Sequence, residues 1–356
     1  MKERDLDSLR EGIRQLDLEI LARVAERVDL ARQVGELKRR EKLSTVDYAQ
    51  ERRVMERARS VAQGHGLDAE VAEDLFARMI QASVVVQEED NLRASELGVG
   101  KSAVVVGGAG RMGRWLGRFL SAQGYTTGAL DPTAGREEEA WAQQAFASAD
   151  LVVCATPPAT IAELYTDWSK KPPAGVVVDV ASIKTPLIEP IRTLQQAGCG
   201  VASIHPMFGP SAVLLRDADI VICDTGDTEA TSAVEEIFRP TTVHLVHLPL
   251  EDHDRIMADL LSLAHAAAIA FALALPPTDH PVRSTTFQAL ESVGAAVVRE
   301  SPDVYYEIQA KNPYSAAALE RLRVAVDQII TAVTESDVEG FRALFEDGQE
   351  RTREGN

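Results

Sequence analysis

Between residues 5 and 40 the apolar positions Leu6, Leu9, Ile13, Leu16, Ile20, Val24, Val28, Val34 and Leu37 recur mostly at steps of three and four, with polar residues between them. That spacing predicts one long helix, weakened only at Gly12 and Gly35 and broken by no proline. At 1.5 Å per residue the helix would be roughly 54 Å long. A unit of about 90 residues cannot cover it from one side, so a partner helix from a second chain is expected. A second helix is predicted over about 47–63, ending at "QGHG", and a third from the N-cap Asp68 to about Glu88.

The stretch "QEEDNLRASELGVGKS" is charged, has little periodicity and reads as a linker. From Ser102 the pattern changes to short β-branched apolar runs: "SAVVVGG", "YTTGALD", "ADLVVCATP" and "GVVVDVAS". They alternate with helical spacing, the signature of a parallel sheet with crossover helices. From about residue 250 the strands stop, and "DRIMADLLSLAHAAAIAFALAL", "TFQALESVGAAVVRE" and "AAALERLRVAVDQIITAV" predict apolar helices. The chain is therefore expected to be multidomain. An all-α N-terminal domain (1–91) and a linker (92–101) precede an α/β Rossmann domain (102–248) and an all-α C-terminal domain (249–356).

"VVVGGAGRMG" places Gly108-x-Gly110-x-x-Gly113 directly after a strand and into a helix. In that arrangement the first glycine permits a tight turn, the second lets backbone approach a pyrophosphate, and the third allows close helix–strand packing. The next strand ends in "ALDP", and Asp131 stands where a carboxylate can accept hydrogen bonds from a ribose diol. NAD is thus the expected cofactor, held by Gly108, Gly110, Met112, Gly113, Asp131, Thr156 and Pro157, with Arg136 nearby as the one feature that would suit NADP.

Composition narrows the partners. A formal charge of −18 over 356 residues disfavours nucleic acid and anionic membranes, although residues 1–60 carry a slight basic excess that can serve a small polyanion. No run of about 18 apolar residues is evident, so no membrane span is expected. The charged start "MKERDLDSLR" lacks a secretory h-region, and Cys154, Cys199 and Cys223 show no metal-type spacing. A cytoplasmic protein with reduced thiols is expected.

Residues 1–90, from "LREGIRQLDLEILARVAERVDLARQVGELK" to "LFARMIQASVVVQ", resemble the all-helical, domain-swapped dimeric chorismate mutases. The resemblance places the active site on Arg10, Arg27, Lys38, Asp47, Glu51, Ser83 and Gln87, and departs at Gln50, where the family usually has arginine. The spacing agrees. Arg27 and Lys38 share one helix face, as do Asp47 with Glu51 and Ser83 with Gln87. Arg10 lies about 25 Å along the helix from Arg27 and would have to come from a partner chain. The chemistry implied is a rearrangement that needs no acid, base or metal: arginines hold the two carboxylates of chorismate, Lys38 and Gln87 the ether oxygen, and Glu51 the hydroxyl.

Residues from about 101 onward resemble the prephenate dehydrogenase family, including its mutase-fused members, through "VVGGAGRMGRW", "VVDVASIKTPL", "IHPMFGP", "EDHDRIMADLLSLAH" and "SPDVYYEIQ". Alone, the histidine of "SIHPMFGPS" could be a satisfied strand-end residue. With the nucleotide motif and "ASIK" before it, the resemblance makes His205 the group that polarises or deprotonates the C4 hydroxyl of prephenate. Ser182 and Lys184 are expected close to substrate and cofactor, His265 in the substrate pocket, and His253 and Asp254 at the domain interface. Where the family commonly grips a substrate carboxylate with arginine, this chain has Ala296; Arg299, one turn on, and Arg283 are the candidates to replace it.

The resemblance implies a homodimeric bifunctional enzyme of tyrosine biosynthesis that converts chorismate to prephenate and then to 4-hydroxyphenylpyruvate with NAD. Gln50 and Ala296, one altered position in each site, motivate an alternative in which the same chemistry acts on arogenate or the 4-amino-4-deoxy analogues. A third reading makes the C-terminal part a regulatory module without turnover, against which His205, Ser182 and Asp131 argue.

Overall fold

The computed structural model describes residues 5–212, 215–276, 281–299 and 301–352, which form two compact units. The first comprises the chain up to Thr156 together with Thr166–Val180 and Thr193–His247; the second comprises Pro157–Tyr165, Ala181–Arg192 and everything from Leu248.

The first unit begins with three helices, α1 (Leu6–Glu41), α2 (Tyr48–Gly64) and α3 (Ala69–Ser95). Each starts at an aspartate, Asp5, Asp47 or Asp68, whose carboxylate accepts a backbone N–H of the first turn. α3 packs against both α1 and α2. Gly35 is the one buried residue of α1, and its apolar Leu6, Leu9, Ile13, Leu16 and Ile20 are all exposed in the single chain. Such a stripe is costly to leave in water.

α3 runs on through the stretch expected to leave the helix after Glu88, reaching Ser95. The extension is helical because it has something to pack on. Asn91 is buried, and Leu92 lies against the core of the neighbouring sheet. The chain after it is also tied down, with Gly98 N–H donating to Gln123 O.

That sheet has seven strands in the order β2-β1-β3-β4-β5-β6-β7: β1 (Ser102–Val106), β2 (Thr126–Leu130), β3 (Leu151–Cys154), β4 (Val176–Asp179), β5 (Val201–Pro206), β6 (Asp219–Asp224) and β7 (His244–Pro249). Strands β1 to β5 pair in parallel, as the β-branched runs predict; β6 departs from the expected parallel sheet and runs antiparallel to β5. Among its described residues the connection between β5 and β6 contains no helix of the kind that carries a chain back across a sheet for a parallel pairing. Along the chain the helices between these strands are α4 (Arg111–Ala122), α5 (Arg136–Ala145), α6 (Pro158–Trp168), α7 (Ile188–Gln196) and α8 (Thr228–Phe238). Leu116, Phe119 and Leu120 of α4 and Val234, Ile237 and Phe238 of α8 bury their faces in a core with Val105, Val153, Val178 and Ile204. Cys154, Cys199 and Cys223 are buried too, and burial pushes the Cys199 thiol up to about 11, which keeps it unreactive.

The second unit is built around α9 (His253–Met257), a π-helical stretch Ala258–Leu263 and α10 (Ala264–Ala274), with α11 (Thr285–Val298), α12 (Pro302–Lys311), α13 (Ser315–Thr334) and α14 (Val338–Arg351). α12 and α14 were not among the helices expected from the pattern, and Glu300, the predicted end of α11, lies outside the described residues. By length and composition the run His253–Ala274 is apolar enough to cross a membrane, contrary to the expectation that none is. Within this unit it packs on α11 and α13 and carries the buried His253 and Asp254.

Candidate active sites

The three N-terminal helices bring most of the predicted residues to one place. Arg27 of α1 donates to Ser83 Oγ at 2.7 Å and to the carbonyl of Met79 at 2.9 Å on α3. Burial pulls its guanidinium below the ordinary value, but an arginine stays cationic at neutral pH. One turn along α3, Gln87 Nε2 donates to Ala31 O at 2.6 Å, while Lys38 Nζ donates to Thr45 O at 2.7 Å. Asn91 holds that loop through Thr45 Oγ1 at 2.9 Å, a role the sequence pattern did not single out. Asp47 caps α2, and four residues on Glu51 receives both arms of Arg216, at 3.0 and 2.6 Å. Gln50 turns away to accept from Arg53. Arg10 stays exposed, beside Asp7 at 3.6 Å, and does not join the others.

At the sheet, strand order reverses between β1 and β3, the switch point outside whose carboxyl ends a nucleotide binds. The turn there is tighter than the motif alone implied. Gly107, one residue before the first motif glycine, takes φ +78°, and a Cβ on it would meet Ala155 O at 2.7 Å. A Cβ on Gly113 would lie 2.2 Å from Gly107 O, so helix and turn can touch only through glycine. α4 starts after Gly110 with no side chain capping it, which leaves its first N–H groups for an anion. Asp131 accepts from Ala109 N at 3.2 Å and from Thr133 N and Oγ1 at 2.8 and 2.7 Å. Burial opposes its charge, but these bonds together with Arg114 outweigh that and hold its carboxyl below the usual range. Thr156 Oγ1, just beyond β3, is buried with no hydrogen-bond partner, which suits a donor awaiting a ligand. Met112 packs against the core, and Pro157 leads into α6. A glycine cradle, an ionised acid and an orphaned hydroxyl fit a dinucleotide.

His205 is the penultimate residue of β5, opposite Val221 of β6, and is 6% exposed. In the second unit, Asp254 is the anchor that the pattern did not reveal. It accepts Lys184 N at 2.8 Å and Thr185 N at 2.7 Å, and lies 2.7 Å from His253 Nδ1. Burial again opposes its charge, and the bonds from His253, Thr185 and Lys184 outweigh it, keeping the carboxyl below its ordinary range. His253 and Asp254, expected at a domain interface, thus hold the turn that carries Ser182 and Lys184. The π-helical stretch shifts helix register just before His265, a device common at functional sites. Burial pushes His265 down, so its ring is neutral at pH 7; its Nδ1 is buried without a partner, and the ring meets Tyr305 edge-on at 4.5 Å. Ala296 and Arg299 lie on the exposed end of α11, while Arg283 is paired with Glu291 at 2.9 Å.

Comparison with known proteins decides what these sites belong to. The family described as chorismate mutase type II matches residues 9–88. The nucleotide-binding and dimerization domains of prephenate dehydrogenase match residues 126–247 and 249–347. The chain joins a chorismate mutase to an NAD-dependent prephenate dehydrogenase. It is 26% identical over 352 residues to the "T-protein" of Enterobacter agglomerans, covering 96% of this chain and 91% of that one. It is 28% identical over 262 residues to a 4-amino-4-deoxyprephenate dehydrogenase of Streptomyces pristinaespiralis, covering 68% of this chain and 88% of the relative. The fold of the prephenate dehydrogenase of A. aeolicus, solved with hydroxyphenyl propionate and NAD+, superposes with a TM-score of 0.54 at 18% identity, covering 70% of this chain and 97% of that one. The glycine-rich turn precedes the matched nucleotide-binding stretch, so its role here stands on its own geometry.

The mutase half gives one direct test of its packing. A Cβ on Gly35 would lie 2.8 Å from Gln87 Cγ, so α1 forms the wall against which Gln87 is held. Gly35→Ala is expected to lower mutase kcat/KM about ten- to a hundredfold by displacing Gln87, while NADH formation from supplied prephenate is retained. Chorismate loss followed by absorbance checks this; an unchanged rate would remove Gln87 from the site.

Proposed function

We propose that the mutase domain rearranges chorismate to prephenate and that the dehydrogenase domains convert prephenate to 4-hydroxyphenylpyruvate and CO2, on a chain divided at 1–91, 92–101, 102–248 and 249–356. The observation that carries this reading is one chain in which donors for a small dianion (Arg27, Ser83, Gln87 and Lys38) are followed by a glycine cradle for NAD. The product of the first chemistry is the substrate of the second.

In the mutase, Arg27 and Arg10 of the partner subunit hold the two carboxylates, with Asp47 and Ser83 setting the floor of the site. Gln87 and Lys38 turn from their backbone acceptors to the ether oxygen, where negative charge grows as the C–O bond breaks. Glu51 accepts the ring hydroxyl. The exposed apolar stripe of α1 supports a homodimer that exchanges this helix, and exposed Ile329, Ile330 and Val333 on α13 support a second shared face.

In the dehydrogenase, Gly108, Gly110, Met112, Gly113, Thr156 and Pro157 bind the dinucleotide and Asp131 its ribose. Bound NAD+ supplies the hydride acceptor. His205 takes the C4 hydroxyl proton as hydride leaves C4; the ring carboxylate then departs as CO2, its bonding pair completes the aromatic ring, and the proton returns to the phenolate. Ser182 and Lys184 orient the substrate, neutral His265 lines its pocket, and Arg299 grips a carboxylate in place of the arginine absent at Ala296. A cytoplasmic location suits both substrates.

A second reading, with a 4-amino group in place of the hydroxyl, is favoured by the Streptomyces relative together with Gln50 and Ala296. A panel of prephenate, arogenate and 4-amino-4-deoxyprephenate with NAD+ and NADP+ separates them. Prephenate with NAD+ is expected to give the highest kcat/KM. Preference for an amino substrate would transfer the assignment, and NADH from none would end it.

A further inference from the structure

Glu51 is the mutase residue whose surroundings the helices alone do not explain. Its carboxylate is met by Arg216, which belongs to the sheet domain and lies between β5 and β6, on the connection that leaves His205. Both nitrogens of the guanidinium fork engage both oxygens, the geometry in which an arginine–carboxylate pair is strongest. The pair is mostly buried, with Arg216 13% and Glu51 20% exposed in their side chains. Arg216 also lies 5.7 Å from the centroid of the Tyr48 ring and has Asp217 at 3.3 Å from Nε. Together these residues line a cavity of about 550 Å³ between α2, α3 and the connection, with Arg52, Met55 and Ile80.

We infer that Arg216 is a positioning residue of the chorismate mutase site, contributed by the dehydrogenase domain, which holds the Glu51 carboxylate aimed to accept the substrate hydroxyl. Three observations support this. A carboxylate has about four lone-pair directions, so a bidentate arginine leaves acceptor capacity for a hydroxyl. Among the described residues Glu51 is bonded by no cation of its own helix, and the preceding Gln50 is neutral and bonded to Arg53. The connection is pinned independently one residue away, because Leu215 N–H donates at 3.2 Å to Glu88, which is 4% exposed. Without the fork the carboxylate is free to leave the orientation in which it accepts the hydroxyl.

The inference rests on the assignment of chorismate to the N-terminal site, and the test keeps the two apart. Full-length wild type, Arg216→Gln and Arg216→Lys are assayed for chorismate loss with kcat and KM determined separately, and for NADH formation from supplied prephenate. Arg216→Gln is expected to lose about tenfold in mutase kcat/KM, mostly through KM. Arg216→Lys, which keeps the charge but not the fork, should recover part of the affinity, and NADH formation should persist in both. Unchanged mutase kinetics in Arg216→Gln would overturn the inference. A parallel fall of both activities with an unmoved mutase KM would overturn it as well, making Arg216 a brace between domains. Absence of mutase activity in the wild type would instead strike the assignment beneath it.

Discussion

His205→Asn is expected to lower NADH formation from prephenate and NAD+ by about 10²- to 10⁴-fold, the usual worth of a positioned acid–base group, while chorismate is still consumed at the wild-type rate. The size of the effect follows from where the residue stands. β5 is buried along its whole length and paired on both sides, with β4 in parallel and β6 antiparallel, so His205 is fixed by backbone pairing opposite Val221. Asparagine keeps a polar side chain of similar reach but cannot take a proton near neutral pH. Following NADH by absorbance, and chorismate loss in parallel, separates catalysis from folding. Turnover within tenfold of wild type would show that another group handles the hydroxyl proton.

Arg27→Ala should cost the mutase about 10²- to 10³-fold, because the cation is lost and the buried Ser83 hydroxyl is left facing a site built for an anion. Arg10→Ala should be comparably damaging, although Arg10 is far along α1 and exposed in the single chain. The two variants distinguish a swapped site from two unrelated losses. When mixed and allowed to exchange subunits, half of the dimers would be mixed, and each would contain one site with both substitutions and one with neither. About a quarter of wild-type activity should therefore return. No recovery after verified exchange would mean that Arg10 does not complete a partner's site.

Much of this was legible because the signals are local and periodic. The three-and-four spacing predicts α1 and α2 to within a residue or two, and β-branched runs mark β1 to β4. Fixed spacing on a helix likewise places Ser83 and Gln87 together. What the pattern missed depends on distant partners. The last turns of α3 are charged and weakly periodic, and they are helical because Asn91 is bonded to Arg39 and Thr45 while Leu92 finds cover in the following domain. Gly107 escaped notice because the motif counts from Gly108, yet the positive φ falls on Gly107. Asp254 and Arg216 reach residues 70 and 165 positions away, and no window of sequence registers such a pair.

Glu88 bears on how separable the two enzymes are. From inside a mutase helix it accepts Leu215 N at 3.2 Å, Thr242 N at 2.8 Å and the Thr242 hydroxyl, all from the sheet domain. A dehydrogenase cut free after α3 would keep these amides but lose their acceptor, and it would lose the Leu92 side chain from its core. The two activities therefore share a piece of interior: α3 is at once a wall of the first active site and a structural part of the second enzyme, so the fusion does not come apart at a clean seam.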